Sequence, residues 1–128
     1  MNQLDQITGE IIDSAFKIHK TIGPGLLESV YEMILFQELT NRKLQVTNQK
    51  YISFEYEGIV FKNAFKVDLL VESSVVIEVK SVEKTLPVHS KQVLTYLKLM
   101  NLPVGLLLNF GTALMKDGIS RIVNHYEP

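Results

Sequence analysis

The first third of the chain carries apolar side chains at spacings of three and four residues, the period of an amphipathic α-helix. A first helix is predicted to begin near Asp5 and to end at Gly23-Pro24-Gly25, where glycine and proline break the period. A second helix is predicted from Leu26 to Asn41. The positions expected to face inward are Ile7, Ile11, Ala15, Ile18 and Ile22 in the first helix and Leu27, Val30, Ile34, Leu35 and Leu39 in the second.

From Tyr51 the period changes to two, because apolar and polar side chains alternate along the chain. Glu57-Gly58 is typical of a tight turn, so this segment and the one from Ile59 to Val71 are predicted to form a β-hairpin. Asn63-Ala64 interrupts the second strand and marks a bulge or a break. A further turn at Glu72-Ser73-Ser74 leads into a third antiparallel strand.

That third segment, Val75 to Lys80, is almost wholly apolar and β-branched, which is typical of a central strand covered on both faces. Pro87 is predicted to open a helix that ends at Asn101, and a buried strand follows from Val104 to Phe110. A short edge strand is expected from Ile119 to Val123. The pattern predicts one α/β domain over residues 1–128, with a mixed sheet of about four to five strands flanked by helices.

The composition narrows the chemistry that is available. The chain has 128 residues, 46% of them apolar and 21% charged, as is typical of one soluble globular domain. It contains no cysteine, so thiolate ligands and a cysteine nucleophile are excluded, and a metal would need oxygen or imidazole ligands. Polar residues 1–10 and the short apolar run from Val104 to Leu108 predict neither a signal peptide nor a membrane span, hence a cytoplasmic protein without a membrane partner.

The overall charge argues against a protein that coats nucleic acid without specificity. The net charge is −1 and the pI is near 6.3, whereas such proteins depend on a broad excess of lysine and arginine. A local basic groove stays open as an alternative. Between Lys80 and Lys98, four lysines and His89 stand against the single acid Glu83. Such a run is usually a solvated face, but it could also form a lip that contacts phosphates.

Three ionisable side chains interrupt the apolar strands. Glu78 and Lys80 lie two residues apart and so share one face of the sheet, and Asp68 on the preceding strand is expected to converge with them. A buried charge is unfavourable unless it is paired or binds a metal. One interpretation is an ion pair of Lys80 with Glu78 or Asp68. The other is a site for Mg²⁺ or Mn²⁺ on the two carboxylates, with Lys80 orienting or deprotonating a water.

These residues resemble a known signature. Asp68, followed by Glu78-Val79-Lys80 on the next strand, is similar to the (D/E)-x-K signature of the PD-(D/E)XK nucleases. The segment Gly25-Leu26-Leu27-Glu28-Ser29-Val30-Tyr31 resembles the Gly-x-x-Glu-x-x-Tyr motif of one family in that superfamily, and residues 105–111 are similar to its closing strand. The resemblance extends from about Ile7 to Val123, with Val67 in place of the proline that often precedes the aspartate.

The resemblance implies a restriction-endonuclease-like core and metal-dependent hydrolysis of phosphodiester bonds in nucleic acid, with DNA favoured over RNA. Asp68 and Glu78 would bind Mg²⁺ or Mn²⁺, and Lys80 would assist the attacking water. A helix glutamate commonly contributes to such metal sites, and Glu28 is the position that matches, so it is predicted as a catalytic and metal-binding residue. Its alternative role is that of a first-turn acid that complements the helix dipole.

Four further residues are predicted to bind the substrate: Gln92, Tyr96, Tyr31 and His89. Gln92 and Tyr96 are one helical turn apart, and Gln-x-x-x-Tyr after the Glu-x-Lys strand resembles a motif of exonucleases related to helicase-nuclease machines. Each residue also has a simpler interpretation. Gln92 could face solvent beside a core Tyr96, Tyr31 could serve packing, and His89 could be a surface or cap residue.

A second class of function remains open at this point. The slight acidity and small size of the chain also suit a non-catalytic module that binds nucleic acid or protein and retains the nuclease fold for regulation. A homodimer could provide the binding surface that one chain lacks, since restriction-type relatives often work as dimers. A basic groove leading to Asp68 would favour the nuclease.

Overall fold

The computed structural model describes residues 2–125 and confirms the predicted α/β class, with a mixed five-stranded sheet and three α-helices. The helices are α1 (Gln3–Ile22), α2 (Glu28–Asn41) and α3 (Pro87–Met100). The strands are β1 (Val46–Tyr56), β2 (Ile59–Val71), β3 (Val75–Lys80), β4 (Val104–Asn109) and β5 (Ile119–Val123), with a short 3₁₀ helix at Met115–Gly118 that was not predicted.

The start of β1 differs most from the prediction, because the strand begins at Val46 and not at Tyr51. Residues 47–50 are all polar, so the sequence shows no alternation there. Val46 and Asn48 nevertheless pair with β2. Pairing with a neighbouring strand outweighs the weak local pattern, as is usual for β-structure.

The five strands lie in the sheet in the order in which they occur in the chain. All neighbours are antiparallel except β3 and β4, which run parallel. A parallel pair needs a crossover connection, and α3 supplies it. Glu78 pairs with Leu107 and Lys80 with Asn109, so the carboxyl ends of β3 and β4 lie side by side.

Two apolar layers cover the sheet. The layer formed with α1 and α2 includes Leu69 and Ile77, whereas the layer formed with α3 includes Val67, Val76 and Leu97. Strand β3 is therefore buried on both faces, as its composition predicted. Each fully buried side chain of this kind contributes about 1.5–3 kcal/mol to folding. Within residues 2–125 the structure has no helix with the length and apolar character that a membrane crossing requires.

The outer part of the β1–β2 hairpin pairs with no other strand of the described chain. Its pairing shifts between Ile52, opposite Phe65, and Phe54, opposite Phe61. Asn63 has a positive φ of 50° at this shift. The interruption predicted at Asn63-Ala64 is thus confirmed as a bulge.

The carboxyl end of α2 is fastened to α1 by Arg42. Its guanidinium donates to Glu38 at 3.0 Å, to Glu10 at 3.0 Å and to Asp13 at 2.8 Å. An exposed ion pair contributes only about 0–1 kcal/mol alone, but three carboxylates around one guanidinium restrict how α2 can rotate. The orientation of α2 matters because this helix approaches the end of β3.

Asn109 and Gly111 hold the loop that follows β3. The buried Asn109 accepts from the backbone N–H groups of Val82 and Gly111, each at 3.0 Å, and donates to the Val82 carbonyl at 2.9 Å. Gly111 lies against the same loop, because a Cβ there would come within 2.3 Å of the Val82 carbonyl oxygen. These contacts fix the direction in which the chain leaves Lys80.

We expect Gly111→Ala to lower the free energy of unfolding by about 1–3 kcal/mol, because the added methyl group would meet backbone atoms that cannot rotate away. The matched control is Gly9→Ala on α1, where a Cβ meets no atom within 4 Å. That change should raise stability by about 0.5–1 kcal/mol. Urea unfolding of both variants measures the difference, and equal effects would contradict the close approach at Val82.

Candidate functional site

Strand β2 separates from β3 at Asp68. The β2–β3 pairs run from Val71 to Leu69, opposite Ile77, and none of the described pairs continues beyond that point. Residues two apart in a regular strand share a face, yet Leu69 packs in the layer of α1 and α2 while Val67 packs in the layer of α3. The alternation of side chains along β2 is therefore interrupted at Asp68, and beyond it the same parity of residue numbers points to the opposite face of the sheet. We describe this as a change of face.

Where the backbone pairing of β2 with β3 stops, the side chain of Asp68 accepts a hydrogen bond from β3. Its Oδ2 accepts the backbone N–H of Val79 at 2.9 Å, and its own N–H points to Glu78 Oε2 at 3.4 Å. The predicted convergence of Asp68 and Glu78 is thus present in the structure. The two carboxyl groups are close enough to share a hydrogen bond.

Glu78 is the buried member of this pair, with 6% of its surface exposed. It alternates with the apolar residues of β3 and shares the α3 face with Val76. Burial, together with the hydrogen bond to Asp68 and its negative charge, raises the pKa of Glu78 to about 9, although Lys80 acts in the opposite direction. Two carboxylates held this closely in the protein interior favour either a shared proton or a cation.

Lys80 lies at the end of β3 on the same face as Glu78 and is half-buried. Its positive charge acts on Glu78, but none of the ion pairs among residues 2–125 includes Lys80. The interpretation of Lys80 as one half of a buried ion pair therefore has no support in the described part of the chain.

The structure adds Glu32 to the site, a residue that the sequence analysis missed. Glu32 lies on α2 and is 7% exposed. Burial raises its pKa, the negative charge of Asp68 adds to the rise, and a hydrogen bond from Gln49 opposes it. Gln49 Nε2 lies 2.7 and 2.8 Å from the two Glu32 oxygens and 3.4 Å from Asp68 Oδ1.

Glu28, one turn before Glu32, is exposed and lies at the start of α2. It lines a cleft of about 710 Å³ together with Ser81 and Glu83, which follow β3. The structure describes no contact of Glu28 with Asp68 or Glu78, so its metal-binding role stays a prediction. Its position in the first turn also agrees with the alternative role at the helix dipole.

Tyr31 is fully buried. Its ring stacks on Phe110 with a centroid distance of 4.7 Å, and its hydroxyl donates to the Gly23 carbonyl and accepts from the Leu26 N–H. The hydroxyl is thus engaged with the turn between α1 and α2, and substrate binding by Tyr31 stays a prediction. The packing role explains Tyr31 better.

Tyr96 of α3 lies within electrostatic range of the two carboxylates. Its ring stacks on Phe65 at 4.3 Å, and burial raises its pKa, with the negative charges of Glu78 and Asp68 adding to the rise. Gln92 lies one turn earlier and is exposed, so its substrate contact stays a prediction. His89 Nδ1 accepts the Leu86 N–H at 3.0 Å, which is the cap role weighed as its alternative.

The carboxylate oxygens of Asp68 and Glu78 are ligands of the type that a hard cation such as Mg²⁺ prefers. Among residues 2–125, no group of three or more histidine, aspartate or glutamate side chains could hold a metal ion as it stands. Mg²⁺ and Mn²⁺, however, commonly use one or two carboxylates and complete their coordination with water and substrate phosphate. Asp68 and Glu78 supply two such carboxylates. A cation bound between them would also reduce the repulsion between their negative charges.

Comparison with known proteins agrees with the α/β fold. The model of a family described as PD-(D/E)XK nuclease superfamily matches residues 5–122. A solved structure described as "Crystal structure of SSO0001" is similar over 78% of this chain and 52% of that one, with 22% identity and a TM-score of 0.53. The chain thus spans about half of that protein, and the likeness concerns the fold alone. No curated protein matches the sequence.

We expect the metal-free protein to lose stability as the pH rises from about 5 to about 9. The pKa of Glu78 is higher in the folded protein than its ordinary value of 4.5, which applies to the unfolded chain. Between these two pKa values the folded state therefore retains a proton that the unfolded state releases. Each pKa unit corresponds to about 1.4 kcal/mol, and the loss should be on the order of a few kcal/mol.

Urea unfolding in the presence of a chelator, at a series of pH values, measures this loss. Glu78→Gln should flatten the pH dependence, whereas the control Glu55→Gln, on the exposed part of the hairpin, should retain it. Parallel curves for wild type and Glu78→Gln would show that Glu78 does not hold the proton.

Proposed function

The chain belongs to the PD-(D/E)XK nuclease superfamily, and on that premise we propose that it is a Mg²⁺- or Mn²⁺-dependent nuclease that hydrolyses phosphodiester bonds in nucleic acid. The observation that supports this most is the pair of Asp68 and Glu78 at the point where β2 leaves β3. The segment from Gly25 to Tyr31 further supports membership of the Gly-x-x-Glu-x-x-Tyr family within it.

Asp68 and Glu78 would hold the cation through their carboxylate oxygens. A bound Mg²⁺ or Mn²⁺ would neutralise charge that develops on the phosphate and lower the pKa of a water molecule. Asp68 suits this role because Val79 fixes one of its oxygens at 2.9 Å, which orients the other. Glu28 is proposed to contribute to the metal site from the start of α2, where it lines the cleft, and Glu32 of the same helix interacts with Asp68.

Lys80 would act on the attacking water or on the charged phosphate. Its ammonium group has no carboxylate partner within ion-pair distance among residues 2–125, and it shares a face with Glu78. A lysine held beside the nucleophile can orient it, accept its proton or stabilise negative charge on phosphorus.

The substrate would approach along α3 and the loop before it. Tyr96 lies within electrostatic range of both carboxylates, and Gln92 is exposed one turn away. Between Lys80 and Lys98 the four lysines provide positive charge for phosphate contacts. We propose DNA over RNA as the polymer, and a homodimer as a means of enlarging a binding surface that is small in one chain.

A regulatory module without catalysis is the second candidate. Two observations favour it: the net charge of −1, and the lack among residues 2–125 of three ligand side chains already arranged around one point. This protein would still bind nucleic acid or a protein partner, but it would release no cleaved product.

We expect Asp68→Ala to abolish both Mn²⁺ binding and cleavage, because it removes a carboxylate of the proposed metal pair. Isothermal titration of Mn²⁺ measures the binding, and single- and double-stranded DNA and RNA serve as cleavage substrates. Asp68→Asn is the sharper variant, since its amide oxygen can still accept the Val79 N–H while the charge is lost. The control is Asp117→Asn, an exposed position in the 3₁₀ helix.

Mn²⁺ binding without cleavage of any of these polymers would favour the regulatory module. A wild-type protein that neither binds Mn²⁺ nor cleaves would contradict the nuclease proposal itself.

Lys80→Met should separate binding from catalysis. We expect the Mn²⁺ dissociation constant to change by less than about threefold and the cleavage rate to fall by about 10²-fold or more, the usual range for loss of a general acid or base. Lys62→Met, on the exposed outer part of the β1–β2 hairpin, is the control. Loss of metal binding in Lys80→Met would assign Lys80 to the structure of the site instead.

A further inference from the structure

Gln49 occupies an unusual position in β1. Its φ is +51°, in the left-handed region that residues other than glycine, asparagine and aspartate seldom adopt inside a strand. The residues on either side, Asn48 and Lys50, pair with Leu69 and Val67 of β2. Gln49 therefore lies opposite Asp68, where β2 changes face.

The strand β1 changes face at the same place. Val46 packs against the layer of α1 and α2, whereas Ile52 packs against the layer of α3, although even-numbered residues of a regular strand share one face. The left-handed backbone at Gln49 accounts for this change. It also turns the Gln49 side chain towards α2.

The amide of Gln49 joins two carboxylates that would otherwise repel each other. Its Nε2 lies 2.7 and 2.8 Å from the Glu32 oxygens and 3.4 Å from Asp68 Oδ1. Only this orientation of the amide presents hydrogens to the carboxylates, since the reverse would place its oxygen against them. Glu32 is close enough to Asp68 to share a hydrogen bond with it, and no other side-chain nitrogen among residues 2–125 donates to Glu32.

We propose that Gln49 is a positioning residue of the catalytic site: its amide holds Glu32 of α2 beside Asp68, which adds negative charge next to the proposed metal pair of Asp68 and Glu78 and so favours a divalent cation there. This inference rests on the proposed nuclease function. A neutral donor suits the task, because a lysine or arginine in its place would neutralise the negative charge that attracts the cation. Residues that orient metal-binding carboxylates in this way commonly govern affinity for the metal.

Gln49→Met tests the proposal, since it retains the length of the side chain and removes the donor. We expect the Mn²⁺ dissociation constant, measured by electron paramagnetic resonance without nucleic acid, to rise by about 10- to 100-fold. The control is Gln37→Met, an exposed glutamine on α2 whose amide donates to Asn41. It should leave the constant within about twofold of the wild type.

A double-mutant cycle with Glu32→Gln separates positioning from a general structural effect. If Gln49 acts through Glu32, the double variant should bind Mn²⁺ about as weakly as either single variant. Gln49→Gly provides a second test should Gln49→Met unfold, because glycine adopts a positive φ without strain and also lacks the amide. It should show the same loss of affinity while its thermal unfolding stays cooperative.

The outcomes distinguish this inference from the function beneath it. Mn²⁺ affinity that is unchanged in Gln49→Met or Gln49→Gly, or additive losses in the cycle, would overturn the role of Gln49 and leave the nuclease proposal standing. A wild-type protein that binds no Mn²⁺ would overturn both. Weaker binding in the Gln49 variants with a non-additive cycle would support both.

Discussion

The separation of β2 from β3 at Asp68 is the constraint on which the rest of the site depends. Once the ladder stops at Leu69 opposite Ile77, the buried N–H of Val79 needs another acceptor, and Asp68 provides it at 2.9 Å. An unsatisfied buried N–H is unfavourable by about 1–3 kcal/mol, so the fold itself draws the aspartate towards β3. The same hydrogen bond places Asp68 beside Glu78. One interaction thus both pairs the buried N–H of Val79 and assembles the two carboxylates of the site.

Among residues 2–125, the carboxylates around this point form no ion pair. Burial and the neighbouring Asp68 raise the pKa of Glu78 to about 9, and burial also raises that of Glu32. Lys80 influences Glu78 without forming an ion pair among residues 2–125. In the proposed reaction, a divalent cation would relieve the repulsion between the carboxylates and leave Lys80 free to act on water or phosphate.

Local patterns were sufficient to predict that Glu78 and Lys80 share one face of the regular strand β3. Asp68 on the preceding strand was expected to converge with them, although β2 departs from regular alternation at that residue. Glu32 and Gln49 were not predicted, because they are 17 residues apart in the sequence and lie on different elements. In addition, Gln49 lies in a polar run and has a left-handed backbone. A period of two or of 3.6 cannot reveal a residue whose role depends on breaking the period.

The change of face also explains how so small a domain can surround a site with two layers of helices. On a regular strand each side chain points to one face of the sheet, so a carboxylate would face either α2 or α3. Because β1 and β2 both change face at Gln49 and Asp68, Glu32 reaches Asp68 from the layer of α2, while Tyr96 feels the charges of Asp68 and Glu78 from the layer of α3. The irregular backbone is therefore the feature that lets one pair of carboxylates be enclosed from both sides of the sheet.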